Sequence, residues 1–480
     1  MSWEVVIGVE IHIQMKTNSK LMCNCDSSFS SEPNTHICPV CTGQPGMLPV
    51  INKQAVENAI MLGLAIDCNI RKINEFARKN YFYPDLPKGY QISQYDKPIC
   101  EDGKLEVKFD NKKTIVGITR IHMEEDAGKL VHAGSDNIKD ASYSMSDLNR
   151  SSVPLCELVS EPDIRSAAEA KAFAEKIRQI VLYLGICDGN MEEGSMRCDA
   201  NISIRKKGDT KLGTRTEVKN LNSFKAIEKA IHIEAERQID ILEEGGEIIQ
   251  ETRHYNEGTN STKSMRSKED AHDYRYFPDP DLVPLVIEDD WIEAVRNSLP
   301  ELPAAKKERY IKDLGLSEYD ANVITSEKEM ADFFEETIKL KANAKDAVNW
   351  IMSEVVGYLN QKNLQLVESK LTPELLAGLL KLIDKNTISG KIAKKVLPEI
   401  LSTGKDAETI VKEKGLSQVS DEGAIKKIVE NVISENDAVV ADIKSGNPKA
   451  MGFLVGQVMK KSQGKANPGV VNKLLRELLS

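Results

Sequence analysis

Apolar and polar residues alternate with a period of two in several segments of the first part of the chain, which is the pattern of β-strands that bury one face. In residues 5–14, Val9, Ile11 and Ile13 lie on one face, and Glu10 and His12 lie on the other. Residues 197–204 alternate more regularly, with a polar face that carries Arg197, Asp199 and Asn201. Both segments predict strands that pack one face into a core.

Two further alternating segments, residues 104–109 and 114–126, are separated by a short polar turn and predict a β-hairpin. Between the strands, helical periodicity predicts helices at residues 53–64, 166–184 and 223–244. The last helix is expected to be capped by Asn222 or Ser223. Strands mixed with a few helices predict an α+β fold with a large mixed or antiparallel sheet, and not the regular βαβ alternation of a parallel sheet.

Prolines between residues 278 and 303 mark a boundary, because proline favours extended segments and linkers. After this boundary the pattern is helical, with apolar side chains at helical spacing in residues 344–359 and a typical helix start at Thr372-Pro373. Another break falls at residues 402–405. The sequence therefore predicts a sheet-containing domain, an all-helical domain and a small helical tail domain, at residues 1–293, 294–404 and 405–480.

The distribution of charge singles out the tail. The chain has 480 residues, of which 41% are hydrophobic and 29% charged, as expected of a multidomain globular protein. Its net charge of −10 argues against general coating by nucleic acid. Residues 441–480, however, carry seven lysines and arginines against two acidic residues, which gives +5. The tail is therefore the segment suited to a nucleic-acid backbone.

The sequence also predicts a cytoplasmic protein. No apolar run approaches the ~20 residues that a membrane-spanning helix needs, and the N-terminal residues lack the basic and apolar regions of a secretory signal. The nine cysteines are an odd number in a chain without such a signal. Reduced thiols or metal ligands are therefore expected, and not a framework of disulfides.

Four cysteines form two pairs within nineteen residues, Cys23-x-Cys25 and Cys38-x-x-Cys41. Two such pairs can supply the four thiolates of a closed tetrahedral zinc site, which is structural because no ligand position stays open. The first pair is one residue tighter than usual, so four incidental thiols remain the alternative. His36 is a less favoured substitute ligand.

A second candidate metal site combines Glu10 and His12 with the end of the hairpin strand, Arg120-x-His122-x-Glu124-Glu125-Asp126. Carboxylates and an imidazole that converge from two strands suit a hard or borderline divalent ion. Spacing alone favours the alternative, in which these groups are simply solvated on an open strand face.

Residues 79–90 combine three tyrosines, one phenylalanine and two lysines in an extended segment with two prolines. Such a mixture can stack on bases and bind phosphate, although an aromatic loop that covers the core is the alternative. The sequence contains no Walker phosphate loop, dinucleotide-binding glycine motif or serine-nucleophile motif. The residues alone thus indicate a multidomain, zinc-containing protein that is a candidate for nucleic-acid binding.

Longer stretches of sequence are more specific than these single motifs. Three of them are Cys38-Pro-Val-Cys-Thr-Gly-Gln-Pro-Gly46, His122-Met-Glu-Glu-Asp-Ala-Gly-Lys129 and Thr216-Glu-Val-Lys-Asn-Leu-Asn-Ser-Phe224. Others lie at residues 8–12, 78–93, 149–155, 157–163, 197–203, 272–278 and 450–457. Together, and in this order, they resemble the B-subunit family of the bacterial aspartyl/glutamyl-tRNA amidotransferases over nearly the whole chain. The chain departs from the family pattern at Ser152 and Cys156, where glycine and leucine are usual. These departures are expected to affect packing and not the proposed sites.

The resemblance implies an ATP-dependent ligase. Such proteins act on Glu-tRNA(Gln), and in many organisms on Asp-tRNA(Asn), in which the tRNA carries the wrong amino acid. ATP phosphorylates the side-chain carboxylate, and ammonia converts it to the amide. A separate amidase subunit releases the ammonia from glutamine, and the complex has a small third subunit. The chain would hold the reaction site in residues 1–293, a cradle-like domain with the zinc loop, and would bind tRNA through residues 405–480.

The resemblance also implies roles for individual residues. Glu10, His12 and Glu125 match the family's metal-binding positions and imply magnesium, although strict alternation puts Glu125 on the face opposite to His122, so that the strand must end or bulge there. Lys79 and Lys88 are expected to contact phosphate groups, and Glu125 is expected to act with them in catalysis. The residues expected to line the ATP pocket are Arg197, Asp199 and Asn201.

The rival interpretation is a non-catalytic, zinc-containing scaffold or chaperone that binds tRNA. It would explain the cysteines, the aromatic residues and the basic tail, but it would not require carboxylates and a histidine to meet in a cleft. ATP hydrolysis that depends on mischarged tRNA distinguishes the two. The sequence leaves open whether Glu-tRNA(Gln), Asp-tRNA(Asn) or both are substrates.

Overall fold

The computed structural model describes residues 3–30, 32–110, 112–134, 141–267, 271–416, 422–444, 450–462 and 466–479. The chain divides into two compact units, Met1–Pro303 and Ala304–Ser480. The first unit contains sheets and helices, and the described residues of the second are helical. The predicted α+β class, with a helical region after the sheet region, is confirmed.

The elements of the first unit alternate irregularly along the chain. Its strands, β1 to β16 in chain order, are Trp3–Gln14, Asn69–Ile70, Ile73–Asn74, Ala77–Asn80, Tyr90–Ser93, Cys100–Phe109, Lys112–Glu125, Lys129–His132, Ser144–Asp147, Pro154–Ser160, Met196–Lys206, Thr216–Leu221, Glu251–Asn256, Ser261–Ser267, Phe277–Pro278 and Leu285–Val286. Its α-helices, α1 to α4, are Lys53–Ala65, Ala167–Leu184, Phe224–Glu243 and Asp289–Ser298. A 3₁₀ turn covers Ala271–Tyr274.

A nine-stranded sheet forms the centre of this unit, in the order β14-β13-β12-β11-β1-β10-β7-β6-β2. Neighbouring strands are antiparallel except for β12 and β13, which are parallel. The predicted strands at residues 5–14 and 197–204 are β1 and β11, which pair with each other. The predicted hairpin is the pair β6–β7; Asn111 in its turn lies outside the described residues.

One face of the large sheet is buried under helices. Ile7, Ile11 and Ile13 of β1 are fully buried in the same core as the apolar side chains of α2 and α3. The helix α3 is capped by Ser223, whose Oγ accepts the N–H of Ala226 at 3.0 Å, so the second of the two predicted caps is the one used. Because side chains alternate along a strand, Glu10 and His12 point to the opposite face. That polar face is where the candidate site lies.

A small three-stranded sheet, β15-β4-β5, contacts the strand β7 of the large sheet through β5. The side-chain amide of Gln91 in β5 donates to the carbonyl oxygen of Glu125 at 2.6 Å, and Ser93 Oγ lies 3.4 Å from a carboxylate oxygen of Glu124. These contacts tie β5 to the end of β7. They bring the segment that contains Lys79 and Lys88 to the site.

The helices of the second unit bury two separate cores. In chain order, α5 to α16 are Pro303–Leu314, Glu318–Ile324, Lys328–Lys339, Ala344–Trp350, Val356–Lys362, Pro373–Asp384, Gly390–Thr403, Ala407–Glu413, Glu422–Ser434, Asp437–Lys444, Met451–Lys461 and Pro468–Leu479. The larger core contains apolar residues from Tyr310 to Val411, and the smaller one contains residues from Ile425 to Leu479. The helix α12 follows the predicted domain boundary at residues 404/405, but its buried side chains belong to the larger core, together with those of the helices before it.

Two helix predictions in this unit can be compared with the structure. The helix at residues 344–359 is a continuous helical run, in which the π-helical segment Ile351–Val355 joins α8 to α9. Thr372 caps α10 as predicted, since its side chain accepts the N–H of Leu375 at 3.4 Å. Among the residues that the structure describes, no helix is long and apolar enough to span a lipid bilayer.

Candidate functional site

The registers of three neighbouring strands bring the polar side chains together. His12 of β1 lies opposite Glu157 of β10, and Glu157 lies opposite His122 of β7. Residues that are directly opposite each other in an antiparallel sheet place their side chains on the same face, about 4.5–5.5 Å apart at Cβ. The sheet thus builds a row of two imidazoles with a carboxylate between them, and Glu124 follows His122 on the same face.

These four side chains form a compact, nearly buried cluster. His12 Nε2 lies 3.3 Å from Glu157 and 3.9 Å from Glu124, and His122 Nε2 lies 3.5 Å and 3.7 Å from the same two carboxylates. One ligand atom from each of His12, Glu124 and Glu157 lies within 4.8 Å of the others. Two carboxylates and at least one imidazole at this spacing can hold a divalent ion.

The electrostatics of the cluster favour charge on both partners. Burial alone would lower the pKa of His12, but its hydrogen bond to Glu157 and the charges of Glu157 and Glu124 raise this pKa to about 9. Burial would raise the pKa of Glu157, but the charge of His122 and the hydrogen bond from His12 hold it well below its usual value. Without a metal, the carboxylates are therefore balanced by a protonated imidazole, and an incoming cation would have to displace its proton.

A second acidic group lies beside the first on the same face. Ligand atoms of Glu10, Asp199 and Glu217 lie within 4.8 Å of one another, and Lys219 Nζ lies 2.6 Å from Asp199 and 3.2 Å from Glu217. Burial, followed by the neighbouring carboxylates, raises the pKa of Glu10. Asn201 donates from Nδ2 to Glu10 at 2.7 Å.

The three residues that were expected to line the ATP pocket thus share the polar face with Glu10 and His12. Asp199 lies directly opposite Glu10, and Arg197 lies directly opposite His12, in the β1–β11 pairing. Arg197 also donates to Asp126 at 3.1 Å. Their place on this face agrees with the expectation, and their contact with ATP stays a prediction.

The structure does not bring Glu125 to Glu10 and His12. The pairing of β7 with β10 runs without interruption from Glu125 to Arg120, and the register shifts only at Val159/Ser160. The strand β7 does end at Glu125, but its pairing with β10 is regular up to that residue and shows no bulge there, so alternation turns the Glu125 side chain away from the polar face. In its place, Glu124 and Glu157 lie beside His12.

Glu125 instead accepts hydrogen bonds from three donors in a buried pocket. One oxygen accepts from Ser152 Oγ at 2.6 Å, and the other accepts from the backbone N–H of Ile92 at 3.1 Å and forms an ion pair with Lys88. The departure from the family pattern at Ser152 was expected to affect packing alone. That expectation was wrong, because the Ser152 hydroxyl contacts a proposed site residue.

Lys79 and Lys88 lie at different parts of the site. The ammonium of Lys79 is 5.0 Å from the ring centroid of Tyr274. Burial would lower the pKa of Lys79, but the charges of Glu124, Tyr276 and Glu157 raise it above its usual value. Lys79 is therefore a cation beside the His12 cluster, whereas Lys88 is paired with Glu125.

The aromatic side chains of residues 79–90 do not all cover the core. Phe82 is 87% exposed and Tyr83 is 54% exposed. They line a shallow cleft of about 470 Å³ with Pro84, Leu86, Pro87, Lys88 and Gly89. Exposed aromatic faces next to a lysine favour the interpretation of this segment as a ligand-binding one.

The four predicted zinc ligands lie together. The sulfur atoms of Cys23, Cys25, Cys38 and Cys41 are all within 4.8 Å of one another, and those of Cys38 and Cys41 are 3.9 Å apart. Zinc–sulfur bonds of about 2.3 Å in a tetrahedron place sulfur atoms roughly 3.8 Å apart, so the four residues fit the ion. The ring of His36 contacts the carbonyl oxygen of Ser28 at 3.2 Å and is not part of this group.

The surroundings of the cysteines also suit thiolates. The backbone N–H of Cys38 donates to Cys41 Sγ at 3.2 Å, and the fully buried Lys20 places its ammonium 3.7 Å from the same sulfur. The hydrogen bond from the Cys23 thiol lowers the pKa of Cys41. A thiolate is the form of cysteine that binds a metal. Zinc occupancy itself stays a prediction.

Several residues of the site were missed by the sequence interpretation, chiefly Glu157, Glu217, Lys219 and Lys20. Glu157 stands alone in the otherwise uncharged strand β10. Burial of a single carboxylate in a strand is energetically unfavourable unless the carboxylate is paired. This feature of the sequence could have indicated that Glu157 has a partner in the site. Lys20 gives no signal in the sequence, because its burial depends on the fold of the cysteine loop.

Comparison with known proteins gives matches over almost the whole chain. Residues 5–293 match the family model described as the GatB/GatE catalytic domain, and residues 332–479 match the one described as the GatB domain. The chain is 56% identical to the B subunit of the aspartyl/glutamyl-tRNA(Asn/Gln) amidotransferase of Geobacter sulfurreducens over 479 residues, which cover 100% of both proteins. The proteins of the same name from Geotalea daltonii and Persephonella marina are 56% and 55% identical, again over 100% of each chain.

Proposed function

The chain belongs to the GatB/GatE family, and on this basis we propose that the polar face of its large sheet is where a mischarged aminoacyl-tRNA is converted to the amide. The chain is one component of a multi-subunit, tRNA-dependent amidotransferase that uses ATP as a carbon–nitrogen ligase. The observation that carries this function is the similarity to such proteins over the full length of the chain. The scaffold alternative is not favoured.

The chemistry explains what the site must do. A carboxylate is a poor electrophile, so an oxygen of the aspartyl or glutamyl side chain first attacks the γ-phosphorus of ATP, and ADP leaves with the electron pair of the broken P–O bond. Ammonia then attacks the carbonyl carbon of the acyl phosphate, inorganic phosphate leaves, and the nitrogen loses a proton. Both steps build negative charge on phosphate oxygens, which fixed cations stabilise.

We propose His12, Glu124 and Glu157 as the residues that hold a magnesium ion, in place of the set with Glu125. The support is their spacing and their mixture of carboxylates with an imidazole. A bound ion would neutralise charge on the transferred phosphoryl group. Lys79 adds a cation beside this cluster, and Lys88 adds one at the aromatic cleft. Glu10 lies on the same face as these residues.

The pocket for ATP is proposed along β11. Arg197, Asp199 and Asn201 point into the same face as the metal cluster, and they offer a guanidinium for phosphate together with acceptors and donors for hydroxyl groups. In this arrangement the phosphates would extend from β11 towards β10. The cluster and Lys79 would then lie next to the phosphorus that is attacked.

The affinity of the site for a divalent ion is expected to rise with pH between about 7 and 9, because His12 must lose its proton to become a ligand. In the metal-free chain, the protonated form of His12 stabilises the fold. This contribution to stability is fully present below pH 6.5, the ordinary pKa of histidine, and is lost as the pH rises through about 9. Displacement of one proton gives roughly a tenfold gain in affinity per pH unit. Manganese binding followed by electron paramagnetic resonance measures this dependence.

The matched control for this pH dependence is His12→Gln, in which the remaining weak affinity should not change over the same range. Calorimetric titration in two buffers of different ionisation enthalpy counts the protons released. A wild-type affinity that stays constant from about pH 7 to 9, with no proton release, contradicts the assignment of His12.

The partners follow from the proposed reaction. We propose that the chain works with an amidase subunit that releases ammonia from glutamine and with a small third subunit. The substrates are proposed to be Glu-tRNA(Gln), Asp-tRNA(Asn) or both, since the similar proteins carry both tRNAs in their name. A location in the cytoplasm, where aminoacyl-tRNA is used, agrees with this role. Formation of ADP and of amidated tRNA from ATP, ammonium and each mischarged tRNA tests the function directly.

We further propose three domains, in which the last one binds tRNA. The smaller helical core from Ile425 to Leu479 supports this division, and the packing of α12 suggests a boundary after Leu416 instead of 404/405. The tail's charge of +5 supports contact with the phosphate backbone. Two of its basic residues, Lys449 and Lys465, lie outside the described residues.

Removal of residues 417–480 is therefore expected to weaken tRNA binding and to leave the sheet domain and its ATP site folded. The salt dependence of binding should also become shallower, by about one unit of slope for each phosphate contact that is lost. Filter binding of tRNA at several salt concentrations measures both. Unchanged affinity together with an unchanged salt slope contradicts a tRNA-binding role of the tail.

A further inference from the structure

Ser152, which contacts Glu125, has an unfavourable backbone conformation. Its φ of +68° lies in the left-handed region, which a residue with a Cβ atom rarely adopts and which glycine adopts freely. The residue is 1% exposed. Its N–H donates to the carbonyl oxygen of Asp126 at 2.9 Å, and its carbonyl oxygen accepts from the N–H of Leu21 at 2.8 Å. The backbone is thus held from both sides, and glycine would satisfy it with less strain.

The hydroxyl group supplies what glycine cannot. Ser152 Oγ donates to Glu125 at 2.6 Å. Glu125 is 2% exposed, and its carboxylate accepts hydrogen bonds from Ser152, the N–H of Ile92 and the ammonium of Lys88. A hydrogen bond to a charged, buried acceptor is stronger than one between neutral groups. Ser152 therefore fixes the carboxylate that pairs with Lys88.

Lys88 is confined at both ends of its side chain. Its ammonium pairs with Glu125, and its side chain is 8% exposed. Its stem packs against Gly43 of the cysteine loop, where a Cβ atom would lie 2.5 Å from Lys88 Cγ. Gly43 itself has a φ of +71°. With the stem held by Gly43, the direction of the ammonium depends on Glu125, and the direction of Glu125 depends on Ser152.

We propose that Ser152 is a positioning residue: through Glu125 it holds the ammonium of Lys88 in place at the edge of the aromatic cleft. In this chain the serine hydroxyl is a third donor to Glu125, which the glycine that is usual at this position in the family would not supply. The consequence for catalysis rests on the proposed function, in which Lys88 contacts a phosphate group. The positioning of Lys88 can be tested without that assumption.

Two substitutions separate the effect of the hydroxyl group from the effect of the backbone strain. Ser152→Ala removes the hydroxyl and keeps the strain, whereas Ser152→Gly removes both. We expect the midpoint of thermal unfolding of Ser152→Gly to be higher than that of Ser152→Ala.

Both variants are expected to raise the KM for ATP by about tenfold, as for a lost hydrogen bond to a charged group. The KM is measured with the complete complex supplied with ammonium. The control Asp110→Gly relieves a φ of +44° in the β6–β7 turn and should not change the KM.

A second readout follows Lys88 itself. Amine-reactive labelling of the complex, quantified by mass spectrometry, should modify Lys88 about tenfold faster in both Ser152 variants than in the wild type, and at the wild-type rate in Asp110→Gly. Faster labelling with an unchanged KM for ATP would support the positioning and contradict the phosphate role of Lys88. Labelling of Lys88 at the wild-type rate in both Ser152→Gly and Ser152→Ala would overturn the proposal.

Discussion

Glu157→Gln is expected to lower the rate of ATP-dependent amide formation by about 10²–10³-fold, in line with the loss of one group that stabilises developing charge. Glu157 lies between His12 and His122 and touches both imidazoles. Glutamine keeps the size of the side chain but removes the negative charge that a divalent ion and the two imidazoles need. Affinity for tRNA should be retained, because the substitution lies in the sheet face and not in the basic tail.

The rate is measured with mischarged tRNA, saturating ATP, and ammonium in place of glutamine, so that delivery of ammonia is bypassed. Glutamine hydrolysis by the amidase partner should persist, because its nucleophile is on another chain. The matched control is Glu161→Gln, close to β10 but exposed and bonded to Thr119. A Glu157→Gln complex that reaches the wild-type rate with ammonium would restrict Glu157 to ammonia delivery and contradict its role in phosphoryl transfer.

Manganese binding by Glu157→Gln and Glu125→Gln decides between Glu157 and Glu125 as a metal ligand. If His12, Glu124 and Glu157 bind the ion, Glu157→Gln should weaken manganese binding, whereas Glu125→Gln should leave it nearly unchanged. If Glu125 is a ligand in spite of its pairing with Lys88, Glu125→Gln should weaken manganese binding as well. The geometry favours the first result, because Glu125 already accepts hydrogen bonds from three donors.

The sequence predicted those parts of the fold that depend on local pattern. Alternation located β1 and β11, because each has one face in the core and one face that is polar. Helix caps such as Ser223 and Thr372 were visible because capping depends on residues within one turn. The pairs of cysteines were also visible, since zinc loops bring short spacings together.

Other parts depend on contacts that the sequence does not encode locally. β10 is nearly all buried, so it has no alternation to show which way Glu157 points. Only the register of three strands shows that it meets His12 and His122. The side of the sheet on which the Glu125 side chain lies depends on whether β7 has a bulge there. The contact of the Ser152 hydroxyl with Glu125 occurs at a residue with a positive φ, which the sequence does not reveal. Family resemblance pointed to residues of β1, β7 and β11, but it could not supply these distances.

Cys38→Ser is expected to remove zinc from the chain and to loosen the loop of residues 23–43. Structural zinc sites contribute on the order of 10 kcal/mol to folding in small zinc domains, so the loss of one ligand should have a large local effect. Cys38 and Cys41 are linked by backbone and sulfur contacts, and Gly43 packs on Lys88. We therefore expect the variant to lose the alignment of Lys88 as well as the metal.

Elemental analysis of the chain, purified without chelator, should give one zinc ion per wild-type chain and little in Cys38→Ser. The control Cys68→Ser changes a buried cysteine outside the cluster and should keep the metal. Because the loop touches the site through Lys88, labelling of Lys88 should become faster in Cys38→Ser and remain slow in Cys68→Ser. A folded wild-type chain that contains almost no zinc would refute the metal site, and unchanged Lys88 labelling in a zinc-free variant would show that the loop does not hold the lysine.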